Sequence, residues 1–184
     1  IVGLVLLLAL WVNIDSVLAL MPAEYASAKY VILFMGLGYL VDLATGSNGA
    51  IIGTSDYYRY DTLFMVLLVV FTFLTNLWLI PIYGIVGAGI ASCLTYVLFN
   101  LLRLLFIRIK FNMQPYSPVF LGVLAIGSAA WIVAVNIPLT GMHYLDIFLR
   151  GSAVCITYMS LILFFRVSPE INGILTQLIN RRNK

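Results

Sequence analysis

The chain has 184 residues, of which 63% are hydrophobic and 9% charged, with a formal net charge of +3. Soluble domains carry roughly 25% charged residues, so this composition, with a mean hydropathy of +1.08, excludes a soluble globule with a single core and indicates an all-α polytopic membrane bundle. It also excludes a transmembrane β-barrel, whose strands alternate in polarity, because the apolar segments here are uniform.

An α-helix crosses a bilayer with about 20 apolar residues, and six segments of the sequence meet that length. The first runs from Ile1 to about Leu20, interrupted by Asn13 and Asp15. It begins inside an apolar run without the basic flank or cleavage site of a signal peptide, so an upstream part of the protein is expected. A polar connector, Met21–Lys29, leads to the second span, Tyr30 to about Thr45, with Asp42 near its end. The glycine-punctuated connector Gly46–Asp61 precedes the third, Thr62–Ile80, which has no charge. After a turn at Pro81–Tyr83 comes the fourth, Gly84–Ile107, carrying Arg103. A basic link, Arg108–Pro118, precedes the fifth, Val119–Leu139; the short polar loop Thr140–Asp146 precedes the sixth, Ile147–Phe165. Residues 1–167 therefore read as one transmembrane bundle.

The tail, Ser168–Lys184, changes pattern. Ser168 suits a helix cap and Pro169 a first turn. Ile171, Ile174, Leu175, Leu178 and Ile179 fall on one helical face, and Arg181, Arg182 and Lys184 close the chain. This pattern predicts an amphipathic basic helix on the membrane surface. Basic residues also set the orientation. Arg59, Arg103, Arg108, Lys110, Arg166, Arg181, Arg182 and Lys184 fall on one side, and only Lys29 and Arg150 on the other. The C-terminus is accordingly expected in the cytoplasm and the Pro81–Tyr83 turn on the outer side.

The most informative stretch is Asn76–Ser92. Pro81 interrupts the helix and Gly84 permits a sharp reversal. Beyond it Gly84, Ala88 and Ser92, Gly87 and Ala91, and Gly89 and Cys93 recur at intervals of four. Small residues at that period let helix backbones approach closely in a membrane.

Catalysis has little to stand on. The seven carboxylates form no Asp-x-Asp pair, the one histidine, His143, sits in a loop, and there is no phosphate-binding glycine loop. Cys93 and Cys155 lie in apolar segments at no metal or disulfide spacing and read as small core residues. Polar groups inside the bilayer are costly and usually face a cavity or another helix. Asp42 reads either as a cavity-lining, proton-coupling carboxylate or as a helix-end group, or as a partner of Arg103. Arg103 either snorkels to the cytoplasmic face or points inward, where its planar fork suits a diphosphate. Asn76 and Asn100 are placed to hydrogen-bond between helices, with contact to sugar hydroxyls as a further role. Asn76 is also placed to satisfy the Leu77 carbonyl that Pro81 leaves unpaired. The connector with Asn48 and Arg59 is either an ordinary loop or a gate in contact with a substrate headgroup.

Together these motifs resemble a known family. Asn76-x4-Pro81-x-Tyr83-Gly84-x2-Gly87-Ala88-x2-Ala91-Ser92 resembles the signature hairpin of bacterial polysaccharide biosynthesis proteins. These are the O-antigen and exopolysaccharide flippases of the multidrug/oligosaccharidyl-lipid/polysaccharide exporter superfamily. The Gly46–Arg59 connector, the Leu20–Ala28 segment and Lys110-Phe111-x3-Pro115 are similar to segments around that hairpin. The resemblance covers roughly Leu20–Pro118 and implies one lobe of a two-lobed bundle working by alternating access, with the other, N-terminal lobe as its partner. The implied cargo is a polyprenyl-diphosphate-linked oligosaccharide flipped across the bacterial inner membrane during surface polysaccharide biosynthesis, without a cofactor. Arg103 and Arg59 take the headgroup-binding role, with Asp42, Asn76 and Asn48 as further substrate-binding positions. The alternatives are a peptidoglycan lipid-precursor flippase or multidrug exporter of the same superfamily, and a structural membrane subunit that transports nothing.

Overall fold

The computed structural model describes residues 1–113 and 119–167. The expected amphipathic tail lies outside them, as does the end of the basic link. Among the described residues there is no strand. The helices are α1 (Val2–Val12), α2 (Ile14–Ala19), α3 (Lys29–Ala44), α4 (Asn48–Gly53), α5 (Tyr58–Tyr83), α6 (Ile85–Phe111), α7 (Val119–Val135) and α8 (His143–Phe164), with a 3₁₀ segment over Ala23–Ala28. Four stretches are long and apolar enough to cross a membrane: Ala23–Ala44, Tyr58–Tyr83, Ile85–Phe111 and His143–Phe164. The chain thus has the build of a helical membrane protein. It divides into two compact units, one of residues 1–17 with the chain from 116 onward, the other of residues 18–115.

In the first unit α1, α7 and α8 pack on one another. The expected span Ile1–Leu20 is not a single helix. Asn13 ends α1 after 11 residues, because its carboxamide turns back to donate to the Ala9 carbonyl at 2.9 Å. Its own N–H goes to Leu10 at 3.2 Å. Asparagine competes in this way for backbone partners wherever it sits inside a helix. The fifth expected span is also shorter, 17 residues ending at Val135. Pro138 follows closely, and a residue before proline resists the helical conformation. Gly127 lets α1 close on α7, since a Cβ there would stand 2.8 Å from Leu4 Cδ2.

In the second unit the Met21–Lys29 connector is not loose. Its 3₁₀ segment runs straight into α3. α3 lies parallel to α6: Val31 meets Gly89, Gly38 meets Cys93 and Asp42 meets Asn100. α5 lies antiparallel to α6 across the hairpin. The Gly46–Asp61 connector also folds, into α4 and the first turn of α5. The buried Ile52 fixes α4 in a cluster with Phe64, Phe99 and Ile107.

The hairpin turn is tighter than Pro81–Tyr83. α5 passes through Pro81 to Tyr83. Only two helical residues follow the proline, so the lost bond to Leu77 and any kink displace little of the helix. The reversal falls on Gly84 alone, at φ 58 and ψ −138, a region closed to residues with a side chain. Gly84 N–H donates to the Ile80 carbonyl at 2.8 Å, and Gly87 N–H to the Gly84 carbonyl at 3.0 Å. Asn76 does not serve the Leu77 carbonyl. Its Nδ2 donates to the Thr72 carbonyl at 2.8 Å, because helical side chains lean toward the N-terminus and reach back one turn.

The small residues of α6 divide between two neighbours. Toward α5, a Cβ on Gly87 would penetrate the Leu79 carbonyl, and Thr95 Oγ1 meets Thr75 Oγ1 at 3.1 Å. Toward α3, a Cβ on Gly89 would stand 2.9 Å from Val31 Cα, and one on Gly38 3.0 Å from Cys93 Cα. Gly84 is exposed, and Ala88 and Ser92 are only half-buried. The seam is carried by the Gly87 and Gly89 positions rather than by the Gly84–Ala88–Ser92 row.

Candidate polar site beneath α4

The second unit buries polar groups at the end away from Gly84. Arg103 follows Gly84 by 19 residues, which places it about 28 Å along α6, close to one hydrocarbon thickness from the turn. Phe99, Arg103 and Ile107 form one stripe of α6, four residues apart. Phe99 and Ile107 are both buried in the cluster that holds Ile52 of α4. Asn48 lies one turn before Ile52 on the same face of α4. α4 therefore presents Asn48 and Ile52 to the stripe that carries Arg103.

Arg103 does not snorkel. It is 7% exposed, its guanidinium stacks over the Phe99 ring at 4.3 Å, and its Nη2 donates to Asp61 Oδ1 in an ion pair. Gly49 makes room for it: a Cβ there would stand 3.0 Å from Arg103 Nη1. The carboxylate partner is Asp61 of α5, not Asp42. Asp42 instead accepts from Asn100 Nδ2 at 3.0 Å, because Asn100, one turn before Arg103, faces α3. The second amide hydrogen of Asn100 goes to the Tyr96 carbonyl at 2.9 Å, and its Oδ1 meets the Thr45 hydroxyl. All the polar capacity of Asn100 is thus engaged, and α3 is tied to α6. The inter-helix role expected of Asn100 is present.

Two groups in the same place remain unused. Asn48 is 1% exposed, and among the described residues neither its Oδ1 nor its Nδ2 has a hydrogen-bond partner; Arg103 Nε has none there either. Asn48 N–H is engaged with the Thr45 carbonyl at 2.9 Å, so only the side chain is idle. Buried polar groups are normally satisfied; in the first unit Asn13 Oδ1 is likewise buried without a partner among the described residues.

Of the sequence-expected residues, the structure sets Arg103 against α4, which carries Asn48, and places Asp42 on the α3 side with Asn100. It leaves Arg59 outside, exposed in the first turn of α5 with its Nε 3.5 Å from Tyr58 OH. Asn76 lies 15 residues beyond Asp61, about 22 Å further along α5, and takes no part. Asp61, Thr45, Gly49 and Phe99 belong to the cluster but were not expected there. A 48/52 helical pair in a glycine-flanked connector was the available signal for α4; nothing in the sequence marked Asp61 over Asp42.

The first unit offers a different setting. A groove of about 210 Å³ between α1 and α7 is walled by Leu8, Trp11, Gly127 and Trp131 and is apolar. Among the described residues no three His, Cys, Asp or Glu side chains converge as metal ligands do. Comparison with known protein families, curated proteins and solved structures finds no match to this chain.

Proposed function

We propose that this chain belongs to a transporter of the bacterial cytoplasmic membrane, one that flips a polyprenyl-diphosphate-linked oligosaccharide by alternating access. In this reading it contributes six crossings of one lobe: the four long helices, the broken pair α1–α2 and the short α7. The basic end of the second unit, with Arg59, Arg103, Arg108 and Lys110, faces the cytoplasm, as does the C-terminus. Surface polysaccharide biosynthesis is the process it serves.

One observation carries the proposal: a guanidinium buried within the helical unit, about 28 Å along α6 from the turn. An ionisable residue inside a membrane helix is costly and is retained for function, and an arginine fork matches a phosphate. Asp61 holds that fork while cargo is absent. Cargo phosphate takes the place of the Asp61 carboxylate, so the guanidinium is never left unpaired in the dry interior. The glycine contacts of α6 supply the second requirement, helices able to slide without opening voids.

Flipping of a fluorescent polyprenyl-diphospho-oligosaccharide by the protein in proteoliposomes tests this. Arg103→Ala is expected to lower the rate at least about tenfold, as loss of a charge-assisted contact implies. It also strands Asp61 and destabilises the fold by about 3 kcal/mol. The pair Arg103→Ala with Asp61→Ala regains the thermal stability but not the flipping. A double variant that flips at the wild-type rate reduces Arg103 to a packing residue and overturns the proposal.

A further inference from the structure

α4 is attached differently from the helices around it. At its two ends the connector is fixed by specific contacts. The Thr45 hydroxyl meets Asn100 Oδ1, and the Tyr57 ring packs edge-on against Phe106 and Phe111. Between them, among the described residues, the hydrogen bonds are local. Asn48 N–H goes to Thr45, Ile51 N–H to Ser47, Thr54 N–H and hydroxyl to Ala50, and Ser55 N–H and hydroxyl to Ile52. What holds α4 down is apolar: Ile52, with Ile51 beside it, in the cluster of Phe64, Phe99 and Ile107. Six residues without a side-chain cap do not sustain a helix by themselves.

The closed position also carries a cost that opposes Ile52. Asn48 holds a whole carboxamide out of water without a partner among the described residues, unlike Asn13, whose Nδ2 is engaged. Desolvating a carboxamide and burying one isoleucine are of the same order. The two effects act on one short segment with opposite signs. Lifting α4 returns the Asn48 amide to water. It also uncovers Arg103, against which Gly49 lies with its Cβ position within 3.4 Å of Cζ, Nη1 and Nη2.

We propose that α4 is a movable cover over Arg103, hinged between Thr45 and Tyr57, held shut by Ile52 and loaded to open by Asn48. The opening is a property of the empty protein. Its use, admitting an anionic group to the guanidinium, rests on the transport reading above.

Modification by phenylglyoxal, a dicarbonyl that condenses with guanidinium groups, tests the cover. The protein is held in nanodiscs without cargo, and the rate at each arginine is read by peptide mass spectrometry. In the wild type Arg103 is expected to react well below the melting transition, but more slowly than the exposed Arg59. Ile52→Ala is expected to speed Arg103 at least about tenfold, as loss of a buried isoleucine implies. Asn48→Leu is expected to slow it at least about fivefold, because an apolar side chain of similar size removes the desolvation cost of the closed position. Arg59 keeps its rate in both. Asn48→Leu is expected to melt no lower than the wild type, so the test does not depend on Ile52→Ala remaining folded. If Asn48→Leu leaves the Arg103 rate unchanged or raises it, the carboxamide is satisfied in the closed position by a buried water and the loaded cover is overturned. If wild-type Arg103 reacts only above the onset of thermal unfolding, its exposure is unfolding of the whole unit and the cover falls. Either result leaves the transport reading to be judged by flipping with the Arg103 and Asp61 variants.

Discussion

The two units of this chain spend their polar residues in opposite ways. In the unit of α1, α7 and α8, polar side chains repair the backbone where helices break or begin. Asn13 caps the broken end of α1. Asp146 accepts from both the N–H and the hydroxyl of Thr140 at 2.7 Å, and Arg150 donates to the Ile137 carbonyl at 2.6 Å. In the unit of α3–α6, Asn100, Asp42, Asp61 and Arg103 run between helices. The first pattern makes ends. The second ties one helix to the next.

This contrast can be broken most severely at the hairpin that holds the second pattern together. Gly87→Leu is expected to prevent the second unit from closing, a loss of more than about 3 kcal/mol, since overpacking at backbone contact exceeds the usual core penalty. Thermal unfolding in detergent would show it as a collapse of the melting temperature. Ala88→Leu on the half-buried row is expected to leave that temperature nearly unchanged, and an equal loss at both positions would contradict the assignment of the seam. Next in size is Asn100→Leu. It removes the link between α3 and α6 and leaves Asp42 and Thr45 without their partner, at a cost of about 2 kcal/mol, read in the same melt. Asp146→Ala in the first unit is expected to cost less than Asn100→Leu, since both its bonds run to Thr140 six residues before it and hold one turn rather than two helices. If Asp146→Ala proved as damaging as Asn100→Leu, the division between repair and linkage would not hold.

Much of the second unit was legible from the sequence. α3, α5 and α6 fall within a few residues of the expected spans, because the hydrophobic runs there end in glycine or charge. The exceptions have physical reasons. Asn13 breaks α1 because one carboxamide can outcompete a backbone bond, which hydropathy does not register. Pro81 stays helical because only two helical residues follow it, so the kink it imposes displaces almost nothing. The candidate site was legible only in part. Arg103, Asp42 and Asn48 carried a signal, as polar residues near apolar runs. Their pairing did not, since which of Asp42 and Asp61 faces Arg103 depends on how each helix is rotated about its axis.

The one-residue reversal at Gly84 also bears on how the protein is made. Ile82, Tyr83 and Ile85 around it are exposed and apolar, and no charged residue lies between Asp61 and Arg103. Insertion of α5 and α6 therefore moves no hydrophilic loop through the hydrocarbon, where a charge at the centre of a helix costs about 3 kcal/mol. The two helices can enter the bilayer from one face as a single folded pin, with Arg59, Arg108 and Lys110 at its open end as the anchor that stops it going further.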